Sequence, residues 1–503
     1  MTAKCKRFTR GYEFSNFEGQ PEDRLVQITI PEKVVIPLRQ GFGAEVTPTV
    51  QPGGKVAAGQ IIGRDDKSIS NPVHSSVNGK VVRIEKIHTL GTSTTAVIIE
   101  SDRTTGWRKI DGFSADWRSL SDEKLQELIY LSGAAALDRA GIPTSFKSSI
   151  IAPDSVEDVI IHAVGSQVHN PSPAVLLGND NRLNFFEGLR ILKKLMANAH
   201  FHLALGKSCD DLLEHASRLA AESDSLEVRQ MPPKYPFDYD EVLVAALLGR
   251  QFPYGYSAAN IGVIVLSLQT VLHVYEAVTK GKPLIERTIA LCGPGFTENP
   301  HVSLRIGTPL EHVTKARIRE DKELRFVRNS CLTGEILDGA SLPIDRTFDA
   351  VVALVEDNQR QFASFIRPGL TKDSYCRTFA SMLIKKDSSA FSKGCGTNLH
   401  GEGRPCISCS YCQELCPVDI IPHLLFHYVE KDVIDRTLLN LRIFNCIECN
   451  LCSYVCPSKI PLAEYIKKGK ERLTEEGFAR PAQRAGLIAI EEYKSLKESP
   501  AET

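Results

Sequence analysis

A twelve-residue cysteine motif occurs twice in this 503-residue chain. Residues 406–417 are CISCSYCQELCP and residues 446–457 are CIECNLCSYVCP, so both copies have the spacing C-x2-C-x2-C-x3-C-P. Three cysteines of one such loop can bind three corners of a cubane [4Fe–4S] cluster, and in two-cluster ferredoxins the fourth cysteine binds the other cluster. The sequence therefore predicts two [4Fe–4S] clusters that exchange their fourth ligands.

This exchange defines two predicted ligand sets. The first set is Cys406, Cys409, Cys412 and Cys456, and the second is Cys446, Cys449, Cys452 and Cys416. Zinc is the alternative metal, because C-x2-C pairs also bind zinc, but two identical three-plus-one sets exceed what zinc requires. The other six cysteines are predicted to be free structural thiols, although one of them, in a Gly-Cys-Gly loop, could approach a cluster; they are Cys5, Cys209, Cys292, Cys331, Cys376 and Cys395.

The segments around the two motifs have helical periodicity. The linker HLLFHYVEKDVIDRTLLNLRIF and the segment PLAEYIKKGKERLTEEG both place apolar residues at helical spacing and contain no β-turn signal. We therefore expect residues 398–478 to form an α-helical two-cluster ferredoxin domain, not the compact β-rich type.

Three further domains are expected before the motifs. Residues 24–105 contain short β-rich runs separated by turn residues, in the form of a barrel-sandwich hybrid (lipoyl-like) domain. A carrier role is disfavoured because the tip, residues 71–75, has no lysine. Residues 120–285 alternate helices and strands, which predicts an α/β nucleotide-binding-like domain with a parallel sheet. Residues 286–342 resemble a small β-grasp (SLBB-like) domain. The fold class is thus multidomain α/β.

Charge and hydropathy exclude several partners. Nothing in the formal net charge of −1 suggests a nucleic-acid partner, which would need a basic face. The N-terminal segment lacks the apolar stretch of a signal peptide, and the longest apolar run, residues 261–272, is too short to cross a bilayer. Any membrane role is expected to act through a partner, with no transmembrane segment in this chain.

The quoted motifs, together with IPLRQGFGAEVTPTVQPGGKVAAGQIIG, NPVHSSVNGKVV and VSLRIGTPLEHV, resemble the RnfC family of the Rnf complex and, more distantly, the NqrA family of the Na⁺-translocating NADH:quinone reductase. The body of the chain is more similar to the second family, which typically lacks the ferredoxin cysteines. The resemblance implies hydride transfer from NADH to FMN, followed by single-electron transfer to the clusters. It also implies a cytoplasmic location, peripheral on the inner face of the cell membrane, against membrane subunits that pump Na⁺ or protons; quinone and NADH are candidate small-molecule partners.

One loop departs from the family pattern. The family's flavin loop is Gly-Gly-Ala-Gly-Phe-Pro-Thr, and the matching residues here keep Ala140, Gly141, Pro143 and Thr144. The first two glycines are replaced by Asp138 and Arg139, whose side chains would block the approach of a phosphate to the backbone. The sequence therefore favours a pocket that binds no nucleotide over one that does. FMN and NADH remain candidate cofactors.

Three functions follow from these observations. The first is an electron-transfer subunit of a membrane-associated, ion-translocating NADH:quinone or NADH:ferredoxin oxidoreductase, with electrons relayed through the clusters and no catalytic residue assigned on this chain. The second is a flavin-dependent corrin reductase, disfavoured by the leading β domain and the missing glycines. The third is a docking scaffold in which the clusters are structural.

Overall fold

A computed structural model describes residues 10–357, 395–397 and 403–478, apart from positions 15, 16, 42, 90, 140, 147, 179, 207, 208, 222–224 and 340. Cys5, Cys376 and Ala140 lie outside the described residues, as do residues 398–402 of the expected ferredoxin domain.

Two facing β-sheets form the first unit. One sheet has the order β2-β8-β7-β4 and the other β3-β5-β6, and every pair within them is antiparallel. Alternate residues point inward and form a buried core that includes Val34, Ile36, Ile62 and Ile99. After β1 (Leu25–Gln27), the strands are β2 (Lys33–Pro37), β3 (Thr47–Pro48), β4 (Lys55–Val56), β5 (Ile61–Arg64), β6 (Val73–His74), β7 (Gly79–Thr89) and β8 (Thr92–Ser101).

A parallel sheet flanked by helices forms the second unit. Its strand order is β11-β10-β9-β12 and every pairing is parallel, which confirms the predicted α/β layer with a parallel sheet. The elements are α1 (Asp122–Ser132), β9 (Asp158–Ala163), α2 (Pro173–Leu176), α3 (Asn181–Leu195), β10 (His200–Leu205), α4 (Asp210–Ala221), β11 (Leu226–Gln230), α5 (Asp240–Leu248), β12 (Val263–Ser267) and α6 (Leu268–Lys280). Ser121 caps α1, since its side chain accepts a hydrogen bond from the backbone N–H of Lys124.

A five-stranded mixed sheet forms the third unit, in the order β1-β14-β13-β18-β16. It draws in two strands from outside residues 286–342. One of them is β1, which lies at the start of the segment expected to form the barrel-sandwich domain and pairs in parallel with β14. The physical reason is burial, because Val26 and Ile28 pack into the same core as Val302. The remaining elements are β13 (Glu286–Cys292), β14 (His301–Arg305), β15 (Thr308–Pro309), α7 (Leu310–Thr314), β16 (Leu324–Arg328), β17 (Pro343–Ile344) and β18 (Ala350–Val355).

Short helices carry the two cysteine motifs. They are α8 (Tyr411–Glu414), α9 (Pro422–Glu430), α10 (Arg436–Asn440), α11 (Leu451–Tyr454) and α12 (Leu462–Glu475). Helices α9 and α12 pack closely at Gly469 of α12. A Cβ added to this glycine would lie 2.7 Å from Val429 and 2.8 Å from Ile443. Helices α9 and α10 lie in the linker between the motifs.

The cysteine module is joined to the second unit by direct hydrogen bonds. Tyr235 Oη donates to the carbonyl of Cys449 at 2.7 Å, and its backbone pairs with Tyr12 near the start of the described chain. The rings of Tyr12, Phe14 and Tyr454 pack edge to face beside this contact. Among the helices described, none has both the length and the apolar character that crossing a bilayer would require.

Candidate metal centre

The two cysteine loops have the same backbone. Non-glycine residues adopt positive φ at Ser408 and Ser410 of the first copy and at Glu448 and Asn450 of the second. Residues other than glycine rarely adopt this left-handed backbone conformation. They keep it only where the surrounding structure requires it. The repeated conformation folds each loop so that its first three cysteines lie close together.

The first predicted ligand set is brought together. Cys406, Cys409, Cys412 and Cys456 all line one small cavity under the first loop. Burial raises the pKa of Cys412 to about 12, and the neighbouring thiols of this set contribute to the rise. Burial likewise raises the pKa of Cys456, with Cys409 and Cys406 contributing. Four thiols from two distant parts of the chain thus share one enclosed space.

The second predicted set is also brought together. Burial raises the pKa of Cys446 to about 11, and the thiol of Cys416 adds to this effect while the charge of Lys470 opposes it. The pKa of Cys452 is raised by burial and then by Cys446, Cys449 and Cys416, and Cys412 of the other set acts on it too. The two sets therefore lie next to each other, and each contains the fourth cysteine of the opposite motif.

Backbone N–H groups point at the sulfurs. Ser408 N donates to Cys406 Sγ at 3.4 Å, and Glu448 N donates to Cys446 Sγ at the same distance. Further backbone N–H groups that follow the fourth cysteines lower the pKa of Cys416 and of Cys456, against the larger effect of burial. Such bonds stabilise thiolate and are one of the features that set cluster potentials. The donor set, with four soft sulfurs in each of two groups, fits two iron–sulfur cubanes.

A buried lysine lies beside the second set. Lys470 Nζ is on α12, and its side chain is 3% exposed. It donates to the carbonyl of Cys446 at 2.6 Å and to Glu448 Oε1 at 2.8 Å, and it lies 4.7 Å from the ring centroid of Tyr254. Lys470 is not among the residues predicted from the sequence. The signal was present, because Lys470 continues the buried face of α12 one residue after Gly469, where an apolar side chain is the usual choice.

A large cavity separates the α/β layer from the second cysteine loop. Its volume is ≈ 810 Å³, within the size range of ligand pockets. Residues 251–257 and helix α5 line one side, and residues 445–448 with Lys470 line the other. A molecule in this cavity would contact the loop that carries Cys446.

The loop that differs from the family's flavin-loop sequence lies at the N-terminus of α6. Asp138 Oδ1 accepts the backbone N–H of Ser267 at 3.1 Å, and Arg139 Nη1 pairs with Glu241 Oε1 at 2.7 Å. Burial raises the pKa of Asp138, and hydrogen bonds from Thr270 and Ser267 oppose that rise. Helix N-termini attract anions, but a side-chain carboxyl already takes this one. Gly141 keeps a positive φ of 69° and Thr144 is buried, yet the loop does not fit a phosphate at this helix end.

Three family models match parts of the chain. The RnfC barrel sandwich hybrid domain matches residues 7–104, the Nuo51 FMN-binding domain matches residues 131–276, and the 4Fe-4S dicluster domain matches residues 405–460. The matches fit an RnfC-like subunit with ferredoxin motifs. They support iron–sulfur clusters as cofactors and keep FMN as a candidate.

Two solved structures are distantly similar. One is the NAD⁺-reducing [NiFe]-hydrogenase in the H2-reduced state, with 14% identity, a TM-score of 0.39, and coverage of 75% of this chain and 65% of that chain. The air-oxidized state of an NAD⁺-reducing [NiFe]-hydrogenase gives 13% identity, a TM-score of 0.36, and coverage of 77% and 70%. The chain thus spans slightly less than two thirds of the first of these structures.

Proposed function

We propose that this chain is an electron-transfer subunit of an NADH-oxidising complex of the Rnf or NADH:quinone reductase type, in which two [4Fe–4S] clusters relay single electrons. The observation that carries this proposal is the convergence of eight cysteines into two adjacent groups of four. Each cluster, when bound, stores and releases one electron at a time. This chain's own part is to hold the thiolates, exclude water from them and supply N–H donors to sulfur.

We propose that the clusters are bound by the same two ligand sets that the sequence predicted. Cys456 completes the first set, and Cys416 completes the second. The exchange is supported by the mutual effects of the thiols, since Cys416 acts on Cys446 and Cys449 of the other motif. Each loop contributes cysteines to both sets, so the two clusters would lie close together. This proximity would allow rapid electron exchange between them. The module as a whole is proposed to be an α-helical ferredoxin domain over residues 398–478.

The path of electrons into the clusters is proposed to begin outside the chain's own flavin loop. Asp138 occupies the helix end that a phosphate would need, so hydride chemistry at this loop is disfavoured. The ≈ 810 Å³ cavity offers a different position for a small redox partner, because residues 445–448 form part of its wall. Electrons would then enter or leave through the second cluster.

The remaining units are proposed as docking domains. Residues 24–105 would form the barrel-sandwich domain, residues 120–285 the nucleotide-binding-like domain and residues 286–342 the core of a β-grasp (SLBB-like) domain. We place the chain peripherally on the inner face of the cell membrane, in contact with membrane subunits that translocate ions. The matches to a barrel-sandwich domain and an FMN-binding domain support the first two of these units.

Paired cysteine variants test the proposal. The anaerobically purified chain should contain about eight irons. Cys416→Ser/Cys446→Ser should retain about four, because both residues serve one cluster, whereas Cys412→Ser/Cys416→Ser should retain almost none. Ligation within each motif predicts the opposite order and would refute the exchange. Cys209→Ser, which alters a buried cysteine of the α/β layer, is the matched control.

A redox titration then tests the relay itself. Both clusters should be reduced by NADH when the partner subunits are present. Clusters that stay oxidised under those conditions would favour a structural role in a docking scaffold. FMN that copurifies with this chain alone and is bleached by NADH would overturn the proposal that hydride chemistry lies elsewhere.

A further inference from the structure

Away from the two motifs, one histidine and two cysteines from distant parts of the chain converge. His169, Cys331 and Cys395 place one nitrogen and two sulfur atoms within 4.8 Å of one another. His169 and Cys395 are 1% and 8% exposed, and Cys331 is partly buried. None of the three belongs to the motifs, and each comes from a different segment: His169 follows β9, Cys331 follows β16 and Cys395 precedes the first motif.

We propose that His169, Cys331 and Cys395 bind a single zinc ion or another thiolate-preferring divalent transition-metal ion. Imidazole nitrogen and thiolate sulfur are the ligands that zinc prefers, in sets of three or four. Two thiolates on tetrahedral zinc lie about 3.8 Å apart, given Zn–S bonds of about 2.3 Å. The two sulfur atoms therefore need to approach by at most about 1 Å.

The histidine is held in the form that a metal needs. His169 Nε2 lies 3.2 Å from the carbonyl of Glu18, so this nitrogen is the donor and Nδ1 keeps its lone pair. Nδ1 is buried and has no hydrogen-bond partner among the described residues. A carbonyl on the far nitrogen is the usual second partner of a metal-binding histidine. Burial also lowers the pKa of His169 to about 4, so the ring is neutral at pH 7.

The two thiols are positioned by backbone contacts. Gly396 bridges to Val355 at the end of β18, and Thr397 Oγ1 donates to Glu356 Oε2 at 2.7 Å, which anchors Cys395. Cys331 lies in a turn closed by the N–H of Gly334 to the carbonyl of Ser330. A hydrogen bond joins the thiols, and it lowers the pKa of Cys395 while it raises that of Cys331. Metal binding would displace both thiol protons to solvent.

A further cysteine is available beside the site. Cys292 is fully buried at the end of β13, and burial raises the pKa of its thiol, with the nearby thiol of Cys395 contributing. Its thiol is the candidate for the fourth position of a tetrahedral ion. A site with three cysteines and one histidine is a common structural zinc site.

The location gives the site a structural role for the relay. Leu332, next to Cys331, accepts a hydrogen bond from Asn450 Nδ2 at 2.7 Å. Asn450 follows Cys449 and is one of the loop residues with positive φ. A metal ion that fixes Cys331 would therefore also hold the second cysteine loop against the third unit.

Element-specific measurements on the full-length chain test this proposal. Inductively coupled plasma mass spectrometry should find about one zinc per chain in addition to iron. Cys331→Ser and Cys395→Ser should each lower the zinc content at least tenfold while the chain retains most of its iron, which also reports that the variants fold. His169→Gln should weaken zinc retention against a chelator. Cys209→Ser, the matched control, should keep both metals.

X-ray absorption at the zinc edge separates this site from the motifs, because it does not respond to iron. Mixed ligation, with sulfur at about 2.3 Å and nitrogen at about 2.0 Å, is expected. Sulfur-only ligation, or zinc lost in Cys412→Ser but retained in Cys395→Ser, would place the zinc on the motifs and overturn the proposal. A Cys331–Cys395 disulfide in the anaerobically isolated, unreduced chain would overturn it as well.

Discussion

Replacement of Lys470 by methionine should lower the reduction potential of one cluster only. Its ammonium group is buried on α12 and donates to the carbonyl of Cys446, a ligand of the proposed second cluster. A reduced cluster carries one more negative charge than an oxidised cluster, and a nearby cation stabilises the reduced state. Methionine has a similar shape and volume but no charge, so the change removes this stabilisation with little loss of packing.

The magnitude follows from the distance. Because Lys470 Nζ contacts the carbonyl of Cys446 itself, the charge lies on the order of 7 Å from an iron bound to that residue's sulfur. With an effective dielectric constant of about 20, one unit charge contributes about 2 kcal/mol at that distance. For a one-electron couple, in which a tenfold change in equilibrium constant is about 59 mV, this corresponds to a decrease of about 100 mV.

The assay is a redox titration followed by electron paramagnetic resonance. One of the two clusters should shift to lower potential in Lys470→Met, and the other should change much less. Glu448→Gln should shift the same cluster upward by less, because Glu448 is 40% exposed and its charge is screened more than that of buried Lys470. The double variant should therefore lie between wild type and Lys470→Met. Lys468→Met, an exposed lysine of the same helix, is the control. An equal shift of both clusters, or a shift in the Lys468 variant, would refute the argument.

Three other changes have definite expected outcomes. Gly188→Ala should destabilise the α/β layer by about 1–3 kcal/mol, because the added Cβ would overlap a backbone carbonyl of α6. Its apparent melting temperature should be lower than that of the control Gly106→Ala, whose Cβ would meet open space. Asp138→Asn should raise the melting temperature, because burial raises the pKa of the Asp138 carboxyl above its unfolded value of about 4. Ionisation of this carboxyl costs stability as pH rises from about 4 to its raised folded-state pKa, so the gain should be larger at neutral pH than near pH 4. A gain that is independent of pH would contradict this. Tyr235→Phe removes the hydroxyl that donates to a carbonyl of the second cysteine loop, at a cost of about 1 kcal/mol; iron release from one cluster under chelator challenge should be faster, and release from both at equal rates would contradict the assignment.

Local patterns predicted those parts of the fold that local physics determines. The helix after Ser121 and the parallel strands of the α/β layer follow from capping and alternation. The pairing of β1 with β14 could not be predicted, because its partner lies more than 270 residues away in the chain and its three residues carry no register signal. The convergence of Cys331 and Cys395 was hidden for the same reason, since neither has a metal-ligand spacing to its neighbours in sequence.

The filled helix end at Asp138 and the buried Lys470 both bear on where electrons reside. A core packed from β9, β10 and α6 does not depend on what occupies the N-terminus of α6, so the α/β layer can keep its architecture after its anion site is filled by Asp138. The same chain places a cation against one cysteine loop, and among the described residues no lysine or arginine is comparably buried against the other. Two clusters with matched backbones and unmatched charges should differ in potential, with the second cluster the higher. Electrons should therefore come to rest at the second cluster, beside the large cavity, and a titration in which the first cluster is reduced at the higher potential would overturn this direction.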